Sequence, residues 1–352
     1  MPDFHMIRGY RNLTGNHCGS TAMRNLLQHY CDLDLSEEEV LGLGSGVHFV
    51  LVENEEFEPG VFLAGRGLTM EQDVAAALDI DYREQVTLDD DEAWELVRAE
   101  VLEDRPTMLT GDIFYLDFRD YTVHFPSHRF VLLGFDDAKR TAFVADRVDP
   151  DPQPCSYQAL RESRNPSDFI STFNMWGKFF GTRVGRSREE AYADALQRSS
   201  RRMLGKDDSA NDFVAALASG KRVEVSLGLQ GMQKLLHQLP SWPHRKDADF
   251  VASYASRSIE KFGTGGGNFR NMYTEFMRRA HSRVPELVDN TLPELMAQSS
   301  AQWTELSSHF ADLAKRGLEA ADEFSRNSSQ TLSRIIELET RIFESIGART
   351  GI

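Results

Sequence analysis

The chain has little cysteine: Cys18, Cys31 and Cys155 are the only three in 352 residues. A set this sparse, and odd in number, excludes a disulfide framework and reads as free thiols in a reducing compartment, so a cytoplasmic protein is expected. No C-x-x-C pair occurs, and no metal site is expected. No run of about 18 apolar residues is present, which leaves no candidate transmembrane helix. The opening Met1-Pro2-Asp3-Phe4-His5 does not read as a secretory signal. Positive charge is also short, with 39 Lys and Arg against 55 Asp and Glu, a net charge of −16. The deficit is local. Residues 1–160 hold 31 acidic and 12 basic side chains (net −19), and residues 161–352 hold 24 and 27 (net +3). An acidic first half argues against nucleic-acid binding there. It is either a solubilising surface or one suited to a cationic acceptor such as a polyamine or aminosugar. The asymmetry, with the length, predicts two domains.

What is present begins at Cys18. It follows a turn-forming Thr14-Gly15-Asn16 and leads into Ala22, Met23, Leu26, Leu27 and Tyr30, spaced as one face of a helix. Cys18 is therefore expected at a helix N-terminus, where the dipole and unpaired N–H groups favour a thiolate. The alternative is a core cysteine, since free thiols are often buried. A nucleophilic thiolate needs a base, and the base an orienting group. Arg129–Phe135 and Thr141–Asp146 read as two strands joined by a turn at Asp136–Arg140. A turn centred near Asp137 or Ala138 sets His128, opening the first strand, beside Asp146, closing the second. His124 is a rival base, but the same register would face it with Pro150, which has no carboxylate. The candidate catalytic set is Cys18, His128 and Asp146, with the Cys18 N–H and a group from Asn16 or His17 as oxyanion candidates.

Two glycine-rich stretches are ambiguous. Gly42-Leu43-Gly44-Ser45-Gly46 is either a helix C-cap or a place where Gly44, Ser45 and Gly46 approach a substrate, and Arg66 lies in a similar segment further on. Gly263-Thr264-Gly265-Gly266-Gly267-Asn268-Phe269-Arg270 is either a tight turn between helices or an anion nest built from Gly265, Gly266, Asn268 and Arg270. It lacks the Lys-Ser/Thr pair of a P-loop. From Ser187 onward the periodicity is helical, with Leu229, Met232 and Leu235, then Trp303, Leu306, Phe310 and Leu313, then Leu332, Ile335 and Phe343 as apolar stripes. The expected architecture is α+β: a papain-like catalytic domain over 1–180, helices plus an antiparallel sheet, followed by an all-α domain over 181–352.

The order Cys, His, Asp is that of papain-like enzymes. The segments NHCGSTAMRNLL and HRFVLLGFDDAKRTAFVADRVDP resemble the cysteine peptidase core of bacteriocin-processing transporters. A closer resemblance, through the Cys stretch, LGLGSGVHF, FLAGRG, the His hairpin, GLQGMQKLLHQLPSWP and EKFGTGGGNFRNMYTEF, is to the butirosin biosynthesis protein H family. That resemblance covers nearly the whole chain. It implies acyl transfer from a carrier-protein thioester to an amine or hydroxyl. An acyl carrier protein would then be a partner, and the donor would bring phosphopantetheine, with no cofactor of the protein's own. Two other readings stay open: a cysteine peptidase or amidase using the same three residues, and a non-catalytic binding protein with a structural Cys18. On charge, the basic second half, including Arg198, Arg201 and Arg202, is the candidate docking surface for an acidic carrier, unless those arginines pair with neighbouring acids.

Overall fold

Helix α1 (Cys18–Cys31) starts at the cysteine itself. His17, extended at φ −109° and ψ 130°, is its N-cap, and Asp32 ends it in the left-handed region. Cys18 through Leu27 are all buried. The computed structural model of the protein describes residues 2–55, 58–67, 69–168, 171–207 and 223–352. These fall into two compact units, Met1–Glu37 with Asp79–Gly185, and Glu38–Leu78 with Arg186–Ile352.

The first unit is α+β. Its antiparallel sheet runs in the order β4 (Tyr82–Gln85), β9 (Trp176–Phe179), β5 (Thr107–Gly111), β6 (His128–Asp136), β7 (Thr141–Ala145), β8 (Gln153–Ser156), and β1 (Phe4–Met6) also pairs with β6. Helices α1, α4 (Asp90–Leu102) and α5 (Tyr157–Arg164) complete it. Every residue of β6 is buried. Phe130, Leu132, Phe135, Val97, Val101, Leu109, Leu160 and Trp176 share one apolar core. Ile113–Tyr115 form a 3-10 turn, which Asp112 caps through its carboxylate on the Phe114 N–H.

Among its described residues the C-terminal part of the second unit is mostly helical, as expected, but the unit also holds strands. It takes in residues 38–78, which the expected boundary near 180 assigns to the catalytic half. There β2 (Val47–Asn54) and β3 (Val61–Arg66) form a hairpin, and β10 (Val223–Leu227) pairs with β2 to make a three-stranded sheet. A pairing across about 170 residues leaves no periodic trace in the sequence. The rest is helical, including α2 (Glu37–Leu43), α3 (Met70–Leu78), α6 (Arg188–Met203) and two long helices, Thr291–Arg316 and Ala321–Thr350. Trp303, Leu306, Phe310, Leu313, Leu332, Ile335 and Phe343 are fully buried, so the apolar stripes are core. The expected basic docking face is also partly used up. Arg202 is 6% exposed and pairs with Asp73 and Asp207, and Arg198 bonds Asp73 and Asp194.

Candidate active site

The cluster lies within the first unit, at the N-terminus of α1 and the adjoining ends of β6 and β7. His128 Nε2 is 3.1 Å from Asp146 Oδ1, and both are buried. The other ring nitrogen remains for Cys18, whose thiolate the His128 ring favours. The three candidate catalytic residues are thus together, in the register centred at Ala138, but His128 and Asp146 do not directly oppose each other. The ladder pairs Val131 with Ala145 and Leu132 with Val144, with an irregularity between Leu132 and Gly134. Continued, it would set Asp146 opposite Phe130, two residues from His128. The strand ends at Ala145, which frees Asp146 to reach back along the pair, and the His128 ring stacks on Phe130 at 6.0 Å.

Electrostatics follow from this packing. Burial opposes charge on Cys18, but His17 and then His128 outweigh it, and the thiol is held well below the ordinary thiol range. For His128, burial disfavours the imidazolium, yet the Asp146 charge and hydrogen bond, with Cys18, push it up to about 10. Asp146 is also penalised by burial, and His128 and the Arg147 N–H nonetheless hold it far below the usual carboxylate range. The arrangement is a thiolate–imidazolium pair anchored by a carboxylate. Cys31 and Cys155 go the other way, since burial raises both, Cys31 to about 11. At pH 6, iodoacetamide is therefore expected to modify Cys18 and leave Cys31 and Cys155 unlabelled, as peptide mass mapping would read; labelling of Cys31 ahead of Cys18 would contradict the pairing.

Residues not singled out from the sequence hold the cluster in place. Tyr121 Oη donates to Asp146 Oδ2 at 3.1 Å. Asn12 Nδ2 donates to the Asp146 carbonyl at 2.8 Å, and Asn12 Oδ1 accepts from Asn25 on α1 at 2.8 Å. That chain ties the end of β7 to the cysteine helix. Glu37, first residue of α2, accepts four hydrogen bonds: from the N–H groups of Asn16 and His17 and from the hydroxyls of Ser20 and Thr21. A Ser-x-x-Glu capping pattern at Ser36 marks α2, but nothing local shows that Glu37 points at α1.

Glu37 also revises the oxyanion candidates. The backbone N–H groups of Asn16 and His17 are engaged, and Asn16 is exposed. Ser20 N–H goes to the His17 ring and Thr21 N–H to the His17 carbonyl. The first-turn N–H groups of Cys18 and Gly19 have no acceptor within the helix. The rival His124 is paired after all, with buried Asp112 at 2.7 Å rather than with Pro150.

The substrate-binding candidates lie in the second unit and have structural employment there, except the Asn268 side chain, whose buried amide has no hydrogen-bond partner. The N–H groups of Gly44, Ser45 and Gly46 bond the carbonyls of Val40, Gly42 and Leu41, which makes this segment the C-cap of α2. A Cβ on Gly44 would meet Met70 at 2.6 Å. Arg66 Nη1 lies 3.5 Å from Glu71. The 263–270 loop is a turn in which protein groups take the place of an anion. Gly266 N–H donates to Thr264 Oγ1 and Gly267 N–H to Glu260, while the Gly265 carbonyl accepts from Asn271. Arg270, fully buried, makes a two-point ion pair with Glu339 and bonds the carbonyls of Gly65 and Asn268. Among the described residues, no group of three or more His, Cys, Asp or Glu is placed to hold a metal, and no helix is long and apolar enough to cross a membrane.

The first unit is thus an α+β domain that gathers a thiol, an imidazole and a carboxylate into one buried cluster. In comparison with protein families, residues 17–147 match Butirosin biosynthesis protein H, N-terminal, and residues 159–346 match a domain of unknown function, DUF4872. The chain belongs to the butirosin biosynthesis protein H-like family, which implies an enzyme of a biosynthetic pathway. A comparison with curated proteins found none that matches.

Proposed function

We propose that the protein is a cysteine-dependent acyltransferase that takes an acyl group from a carrier-protein thioester and passes it to an amine or hydroxyl. The observation that carries this reading is the buried Cys18–His128–Asp146 cluster, in which the thiol is lowered and the imidazole raised. The Cys18 thiolate attacks the thioester carbonyl, and the Cys18 and Gly19 N–H groups are the nearest candidates to receive the oxyanion. His128 gives its proton to the departing pantetheine sulfur as the carbon–sulfur bond of the donor breaks. The acceptor amine then attacks the acyl-enzyme, His128 takes its proton, and the bond to Sγ breaks with the electron pair returning to Cys18. Asp146 keeps the imidazole oriented throughout. Family membership supports a biosynthetic setting, and a thioester donor fits because its leaving thiol asks little of the acid.

Intact mass spectrometry after incubation with phosphopantetheine-borne acyl thioesters tests the reading. A mass increase equal to the acyl group, located on Cys18 and discharged by added amines, is expected. Discharge to water alone, at the same rate with and without amine, would favour a hydrolase. No adduct with any acyl carrier or peptide ester would remove both.

A further inference from the structure

A second imidazole–carboxylate pair stands beside the first. β5 ends at Gly111 and β6 begins at His128, and these two residues face each other across the ladder. The segment between them therefore leaves and rejoins the sheet at the catalytic histidine. Ile113 N–H donates to the Phe125 carbonyl at 3.4 Å and closes the base of the segment. Within it Tyr121 reaches Asp146 Oδ2 at 3.1 Å, and His124 Nδ1 lies 2.7 Å from Asp112 Oδ2. Asp112 is fully buried, and its Oδ1 accepts the N–H groups of Phe114 at 3.0 Å and Phe125 at 2.8 Å, which fixes the carboxylate. The carboxylate takes the Nδ1 hydrogen, so Nε2 is the basic nitrogen of the neutral ring. Phe114 stacks on that ring with centroids 4.1 Å apart, and Tyr115, whose hydroxyl is bonded to Asp168, lies at 5.8 Å. The His124 side chain is 31% exposed, against 6% for His128. One imidazole is enclosed with the cysteine, and the other opens to solvent.

We propose that His124, oriented by Asp112, is a second catalytic base, which takes the first proton from an acceptor that arrives as a primary ammonium ion. The inference rests on the acyl-transfer reading and narrows its acceptor to an amine. A primary ammonium carries three N–H bonds and the amide made from it keeps one, so two protons must leave. His128 has room for one. It gives its own proton to the departing pantetheine sulfur and stands neutral in the acyl-enzyme. It takes a single proton back as the carbon–nitrogen bond forms and the carbon–Sγ bond breaks, with the electron pair going to Cys18. That step restores the thiolate–imidazolium pair. The other proton has to leave before the attack, because an ammonium nitrogen has no lone pair. His124 Nε2 accepts it, and the exposed ring passes it to water. An alkylammonium, with a pKa of about 10, is almost wholly protonated at pH 7. The acidic excess over residues 1–160 favours that charged form. A hydroxyl acceptor loses only one proton and would leave the second base without a task.

The test starts from the acyl-enzyme, formed with a phosphopantetheine-borne thioester and verified by intact mass, and follows its discharge at pH 7. His124→Gln keeps a donor for Asp112 but has no basic nitrogen. It is expected to slow discharge by a primary alkylamine about a hundredfold relative to discharge by hydroxylamine, which is uncharged at this pH and has one proton fewer to lose. A ratio of the two rates equal to that of the unmodified protein would overturn the inference and leave His124 as a loop contact only. Should His124→Gln not fold, His124→Phe, which keeps the stack on Phe114 and also lacks the base, is read in the same way. Failure of the acyl-transfer reading looks different: the unmodified protein would form no acyl-enzyme with any donor, or would discharge it to water alone.

Discussion

Cys18→Ala is expected to leave a folded protein that forms no acyl-enzyme and retains less than about 10⁻⁴ of the turnover, in line with the loss of nucleophile or base from coupled catalytic sets. Folding should survive because the change removes one sulfur from the first turn of α1, where the cap contacts of His17, Ser20 and Glu37 are untouched. Asp146→Asn is the more discriminating partner variant. It keeps the shape beside His128 and removes the charge that raises the imidazole, so turnover should fall by about 10²–10⁴ while the Tyr121 contact is retained. The pH dependence has a defined sign. Cys18 is lowered, so the thiolate is lost only in acid. His128 is raised, so its proton leaves only as pH climbs through about 10. The same raised value means that its contribution to stability is complete below about pH 6.5 and vanishes above about 10. The plateau of activity should therefore run from mildly acidic to alkaline pH. In Asp146→Asn the alkaline limb should move toward neutral pH, read from initial rates with a free acyl thioester. An unmoved limb would show that Asp146 does not act on His128.

Arg270→Ala is expected to produce the largest loss of stability of any single change outside the core aromatics. Both partners of the Arg270–Glu339 pair are completely buried, with Nε to Oε1 at 2.8 Å and Nη2 to Oε2 at 2.9 Å. Glu339 also accepts from Ser299 and Trp303, and Arg270 also donates to the carbonyls of Gly65 and Asn268. Removing the guanidinium leaves a buried carboxylate with only neutral donors, which costs about 3–5 kcal/mol. The double replacement Arg270→Met with Glu339→Leu should regain much of this, because no charge is then buried alone. Thermal melts of the two variants check both expectations. A single variant as stable as the unmodified protein would mean that water or another group replaces the cation. The outcome bears on the glycine-rich loop as well. Arg270 is spent inside the fold, and its substitution should act through stability rather than through a bound phosphate.

The sequence by itself determined the local features. Cys18 begins a helix because a turn-former precedes it and an apolar face follows, and both signals lie within fifteen residues. The β6–β7 hairpin was readable for the same reason, since its turn residues and strand patterns are contiguous. The hairpin register centred at Ala138 is legible in the sequence, but it sets Asp146 opposite Phe130 rather than His128. A bulge near Leu133 is invisible to counting, and only the early end of β7 let the carboxylate reach the ring. The domain division, the partner of His124, the role of Glu37 as a four-bond acceptor and the burial of Arg202 and Arg270 were decided by tertiary structure alone. Each depends on residues brought together from distant parts of the chain. Charge and glycine content describe what a residue can do, but whether an N–H or guanidinium is left for a ligand depends on which protein group reaches it first. In both glycine-rich stretches, protein oxygens did: the carbonyls at the end of α2, and Thr264, Glu260 and Glu339 around the 263–270 loop.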